Sequence, residues 1–124
     1  MQSAAQVYGN TAQATSEPRE LEAQLLMRAA SKLQAVCDGE VSEQNDVLSA
    51  IRYNRRLWLI FAQSLGRPEN PLPAAIKQNL ANLAIFVVKH SMSLETSLAP
   101  EHNRLGVLIN INRELAAGLR ARAA

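Results

Sequence analysis

The stretch VLSAIRYNRRLWLIFAQSLGRPENPLP, Val47–Pro73, holds one helix and its stop. Val47, Leu48, Ile51, Trp58, Phe61 or Ala62, and Leu65 recur at helical spacing, and Gly66 ends the run. Tyr53 and Ile60 fall on the opposite side, so this helix is apolar around most of its circumference and belongs at the centre of a bundle or under a partner. Pro68, Pro71 and Pro73 then forbid helix and set a rigid link.

Working backward, Ser42 is placed to cap this helix, with Glu43 and Asp46 in its first turn. Upstream, Leu21, Leu25, Ala29, Leu33 and Val36 form another helical stripe, which Leu26, Ala30 and Cys37 widen. Ser16-Glu17-Pro18 reads as its start and Asp38-Gly39 as its stop. Residues 1–15 are small and polar around Val7 and Tyr8 and read as a flexible N-terminal arm. Working forward, Ile76, Leu80, Leu83, Val87 and Leu94 mark a third helix from about Pro73 that frays over Ser93–Ala99. Pro100-Glu101 opens a fourth, with Leu105, Leu108, Ile109, Leu115 and Leu119 as its stripe. No stretch alternates with period two. The expected fold is all-α: a small antiparallel bundle of about four main helices, each about 30 Å long, with a loose N-terminal arm and a single domain over 16–124.

Composition bounds the chemistry. The chain has 124 residues, 48% of them hydrophobic and 4% aromatic, so its core is built from Leu, Ile, Val and Ala. Cys37 stands alone, no apolar run approaches a membrane span, and Met1–Gln6 has neither the charged nor the apolar part of a leader; a cytoplasmic protein without membrane insertion is expected. Thirteen Lys and Arg against eleven Asp and Glu give a net charge of +2, with the densest cluster at Arg52, Arg55 and Arg56. Nucleic-acid binders concentrate their charge more than this. His90 and His102 have no metal-ligand partners at helical spacing, and no glycine-rich phosphate loop is present. Cys37 has no activating His nearby in the pattern. The expectation is a non-enzyme with no catalytic residues, no metal and no cofactor.

Three polar side chains interrupt the apolar stripes: Asn54, His90 and Asn112. Helical rise puts Asn54 and Asn112 each about 12–17 Å from the same end of an up-down bundle, and so in one layer, with His90 nearer the other end. They either form a satisfied polar core network that fixes register or line a groove for another helix.

Asn54-Arg55-Arg56-Leu57-Trp58, Pro68-Glu69-Asn70-Pro71-Leu72-Pro73 and Leu83–His90 together resemble the FlaF family of flagellar biosynthesis regulators. The tail Leu108–Arg113 with Gly118-Leu119 is similar to that family's closing pattern, and the resemblance runs from about Ser16 to Leu119. It departs at Val7, beside Tyr8, where the family leads one to expect alanine. The resemblance implies a cytoplasmic protein that binds flagellin as an export chaperone and feeds back on flagellin synthesis. A FlbT-type regulator and the export machinery are its implied further partners. Flagellin's terminal segments are amphipathic helices, so the extra apolar side of the second helix, around Tyr53, Arg56 and Ile60, is the candidate partner surface. Ile85 and Val88 of the third helix, with Val107 and Asn110 of the fourth, are candidate contributors; packing of these residues inside the bundle is the alternative. The other class of function is an RNA-binding translational regulator that contacts the flagellin message through Arg52, Arg55 and Arg56, directly or through FlbT. Sparse clustered charge and few aromatics for stacking make direct nucleic-acid contact the weaker reading.

Overall fold

The computed structural model describes the backbone of residues 4–96 and 101–123 and the side chains of residues 18–96 and 101–121. Four helices follow one another: α1 (Ala4–Cys37), α2 (Gln44–Leu65), α3 (Ala74–Glu95) and α4 (His102–Ala123), with no strand among the described residues. They pack as an antiparallel bundle in which α1 lies against α4 and α2, and α2 against α3. Glu20 near the described start of the α1 packing face pairs with Arg120 near the end of α4 at 3.1 Å, which fixes the antiparallel sense of that pair. The core is the aliphatic set the stripes define, with Leu33, Ile51, Val87, Leu94, Leu105 and Leu108 fully buried around Trp58. Trp58 meets Phe61 edge to face at a centroid distance of 5.8 Å.

Two boundaries differ from the sequence expectation. α1 begins at Ala4, so Ser16–Pro18 is not its start and Pro18 lies inside the helix. Upstream residues rich in alanine (Ala4, Ala5, Ala12, Ala14) have the highest helix propensity, and Pro18 removes one donor without breaking the run. Residues 1–3, and the side chains of the expected N-terminal arm, lie outside the described residues, as do residues 97–100 of the expected fraying segment. At α2 the N-cap is Glu43 in an extended conformation with no side-chain cap bond, so Ser42 does not cap the helix.

The links are built by specific hydrogen bonds. After α1, the Glu40 N–H donates to the Ala35 carbonyl at 3.0 Å and the Gly39 N–H to the Val36 carbonyl at 3.2 Å, the paired closure of a Schellman end. It requires a left-handed residue, and Gly39 supplies φ of +78°. In the proline-rich link, Asn70 Nδ2 donates to the Ser64 carbonyl at 3.2 Å while its Oδ1 accepts from the Leu72 N–H at 3.0 Å. These two hydrogen bonds hold the link against α2 with Leu72 buried in the core, and Pro73 stands at the N-cap position of α3.

Open space surrounds the Gly39 Cα, so Gly39→Ala tests backbone strain alone. The variant is expected to lose about 1–2 kcal/mol, read as a lower urea midpoint at unchanged slope.

Candidate partner-binding surface

The polar core orders itself from one donor. The Trp58 indole can only donate, and its Nε1–H gives to Asn112 Oδ1 at 2.9 Å. Asn112 must therefore turn its amide nitrogen the other way, where Nδ2 donates to Asn54 Oδ1 at 2.7 Å and to the Leu26 carbonyl at 3.2 Å. Asn54 is thereby forced to present its oxygen, which leaves its Nδ2 without an acceptor among the described residues. Three helices meet at this layer. His90 is not part of it: its Nε2–H donates to the Arg104 carbonyl at 2.8 Å, about 12 Å along α4 from Asn112, and its ring stacks on Phe86 at 5.4 Å. The structure thus brings Asn54 and Asn112 together and places His90 in a separate α3–α4 contact.

The arginine cluster is divided. Arg52 Nε and Arg55 Nη2 both donate to Glu95 Oε1 of α3, at 2.8 and 2.9 Å. The Arg55 side chain is 21% exposed and its Nη1 is buried without a partner, so Glu95 carries the compensating charge for a largely desolvated cation. The two guanidiniums, Arg55 first, hold the Glu95 carboxyl below its usual range. Arg56 is exposed on the outer face of α2.

The other candidates scatter. Tyr53 faces α1, with Lys32 Nζ 5.0 Å from its ring centroid, and Ile60 lies beside Leu25 and Leu57 two turns further along the same seam. Val88 precedes Glu95 by seven residues and so shares the flank of α3 that turns toward the arginines of α2, whereas Ile85, ten residues before Glu95, lies further round the helix and is exposed. Val107 and Asn110 are both exposed on α4, away from its buried face. Tyr53 and Ile60 share one surface; Ile85, Val88, Val107 and Asn110 belong to others.

The shared surface is the α1/α2 seam, along which three depressions lie. At one end a depression of about 720 Å³ is lined by Arg28, Lys32, Asp46 and Tyr53 with the short side chains of Ser31, Ala35, Ser49 and Ala50. Small residues on both helices leave this volume unfilled. In the middle lies a nearly all-apolar depression of about 210 Å³ formed by Leu25, Leu26, Leu57, Ile60 and Phe61, with Glu22 and Ser64 at its edge. Glu22 and Ser64 also border a third depression, of about 410 Å³, with Arg19, Arg67 and Asn70. Burial raises the Glu22 carboxyl above its usual range, and Arg19 only partly offsets this. The sequence reading found Tyr53 and Ile60 but missed Glu22, Leu25 and Leu57; their signal was the position of Leu25 and Leu57 at the edge of their stripes.

Elsewhere, Cys37 is half-buried beside the His102 carbonyl, and burial pushes its thiol up, which makes it a poor nucleophile. Among the described residues no group of three or more His, Cys, Asp or Glu could hold a metal ion, and no helix is long and apolar enough to cross a membrane.

Fold and surface together define a small all-α bundle whose α1/α2 seam carries apolar and polar depressions. The family model of flagellar protein FlaF matches residues 4–119, and the chain belongs to that family. It is a flagellar protein. Searches of curated proteins and of solved structures find no match.

Two predictions follow from the polar contacts. Asn112→Ala strips three hydrogen bonds and orphans the Trp58 indole, and is expected to cost about 3 kcal/mol or more; Asn54→Ala, which removes one bond and one unpaired amide NH2, should cost clearly less in the same denaturation series. Because the Glu95 pKa is depressed in the folded state, its contribution is full above the unfolded carboxylate range and is lost as pH falls through the folded value. Urea midpoints measured from pH 7 down to pH 3 should therefore fall more steeply for the parent than for Glu95→Gln.

Proposed function

We propose that this flagellar protein binds flagellin in the cytoplasm as an export chaperone and couples flagellin to post-transcriptional control of its own synthesis, together with a FlbT-type regulator. The single observation that carries the reading is an exposed apolar seam between α1 and α2 in a member of the FlaF family. Terminal segments of flagellin are amphipathic helices whose apolar faces need cover until the filament provides it. A groove that covers them by coupled folding holds the subunit specifically and still releases it, because ordering the segment offsets part of the contact energy. The protein acts on this reading by binding, without a catalytic step.

The arginines favour this over direct RNA contact. Two of the three clustered guanidiniums are ion-paired with Glu95, which leaves Arg56 as the one without that counter-charge, although Arg52 is also 59% exposed. Calorimetric titration with full-length flagellin, and with flagellin lacking its terminal helices, tests the proposal. Binding is expected to survive nuclease and added salt, to show a negative heat-capacity change and to vanish on truncation. Binding only to RNA, with log affinity falling by about 0.7 per log unit of salt for each phosphate neutralised, would replace it with the translational-regulator reading.

A further inference from the structure

We infer that the outer flank of the α2/α3 pair docks a second partner, an acidic protein segment that lays apolar side chains between Asp or Glu residues. The inference does not rest on the chaperone reading, which concerns the α1/α2 seam.

The need for a neighbour comes from α3. It is apolar around most of its girth, with Leu80, Ala84, Val87 and Leu94 buried and Ile85, Phe86 and Met92 exposed. A helix of that kind is ordinarily enclosed. Among the described residues α3 packs closely on α2 alone, and it reaches α4 through His90 and Ser93, both at Arg104.

Two fixed points locate the face. At one end Arg52 and Arg55 close on Glu95. At the other, about 20 Å along α2, a depression of about 280 Å³ lies between Ala62 and Leu65 of α2 and Lys77 and Ala81 of α3. The antiparallel register between them puts Arg56 level with Lys89 and Leu59 level with Ile85. Arg52, Arg56 and Leu59 are spaced by four and three residues, as are Ile85, Lys89 and Met92, so each set forms one stripe. Leu59 is 47% exposed, and Ile85 and Met92 are each 56% exposed.

Charge names the occupant. The two helices carry Arg52, Arg55, Arg56, Lys77 and Lys89 against Asp46 and Glu95. Asp46 lies on the α1 side, as does Glu69 of the link, and Glu95 is shared by two arginines. Glu43, at the N-cap of α2, stands about 13 Å before Arg52. Arg56, Lys77 and Lys89 thus frame the aliphatic side chains and have no ion pair to a described residue. A partner gains apolar area at Leu59, Ile85 and Met92 and supplies counter-charge at the cations. A second copy of this face meets like charge in either direction. RNA gains nothing from the aliphatic centre, and the face has no aromatic for stacking, since Phe86 turns to His90. An anionic bilayer covers the whole face and sets lipid phosphate against the Glu95 carboxylate, whereas a segment places its acids at the cations alone.

A phage-displayed library of 16-residue peptides, panned on the full chain against excess soluble Leu59→Glu/Ile85→Glu double variant, retains only binders of this face. The survivors are expected to set Asp or Glu around apolar residues. Anisotropy with a labelled survivor should show affinity at least about tenfold weaker for either single variant, at unchanged melting temperature, since both side chains are exposed. Arg56→Glu with Lys89→Glu should also lose the survivor and should bind its copy carrying Lys in place of the acids. No survivors, survivors without an acidic bias, or survivors that bind the charge-reversed variant as well as the parent overturn the inference. Saturable binding of oligouridine or of phosphatidylglycerol vesicles that Ile85→Glu abolishes replaces the partner with RNA or membrane, and a dimer that Ile85→Glu dissolves replaces it with a second copy. Flagellin is expected to bind Ile85→Glu as it binds the parent; a loss there overturns the separate partner and moves flagellin to this face. Flagellin that binds neither protein removes the chaperone reading and leaves this face standing.

Discussion

The Trp58 indole is the one polar group in the bundle centre that cannot change its role, and the surrounding arrangement is referred to it. As a donor only, it dictates which way Asn112 turns, and Asn112 in turn dictates Asn54 and reaches the backbone of α1 at Leu26. A slip of α4 by one turn along its neighbours would move Asn112 about 5 Å and break its three hydrogen bonds in an aliphatic interior. Leucines and alanines tolerate such slips; this layer does not. The register that results also brings Glu20 to Arg120 at one end and His90 to the Arg104 carbonyl at the other.

With register fixed, the two flanks of α2 take different characters. Toward α3 the helix spends its charge internally, Arg52 and Arg55 closing on Glu95. Toward α1 it presents Tyr53, Leu57 and Ile60 across a seam that small residues keep from closing. A helix apolar around most of its girth can remain folded and still offer a face because the ion-paired flank and the buried flank hold it in place.

Much of the fold was legible in the sequence because it follows from local rules: stripes at helical spacing gave the helices, Gly39 a left-handed stop, and three prolines a link that had to break. The residues that carry the family resemblance turn out to build the scaffold. Asn54 and Trp58 meet at the polar layer, and Asn70 and Leu72 shape the link. What stayed hidden depended on distances between elements. Glu95 gives no sign in sequence that it neutralises two arginines some forty positions earlier, and a groove is an absence of volume that Ser31, Ala35, Ser49 and Ala50 create only when brought face to face. Pro18 misled because a proline is equally at home opening a helix and, where its neighbours favour helix strongly, sitting inside one.

The pairing of the first helix with the last has a consequence for synthesis. Leu26 and Asn112 are bonded across 86 positions, and Glu20 and Arg120 across 100. On the ribosome the apolar stripe of α1 emerges first, and the neighbour that covers most of it emerges last. The nascent chain therefore carries an uncovered stripe until α4 is made, and closure must overcome the entropy of a loop of 86 to 100 positions. Closure of the α1–α4 pair thus waits for α4 to be made, long after α1 has left the ribosome.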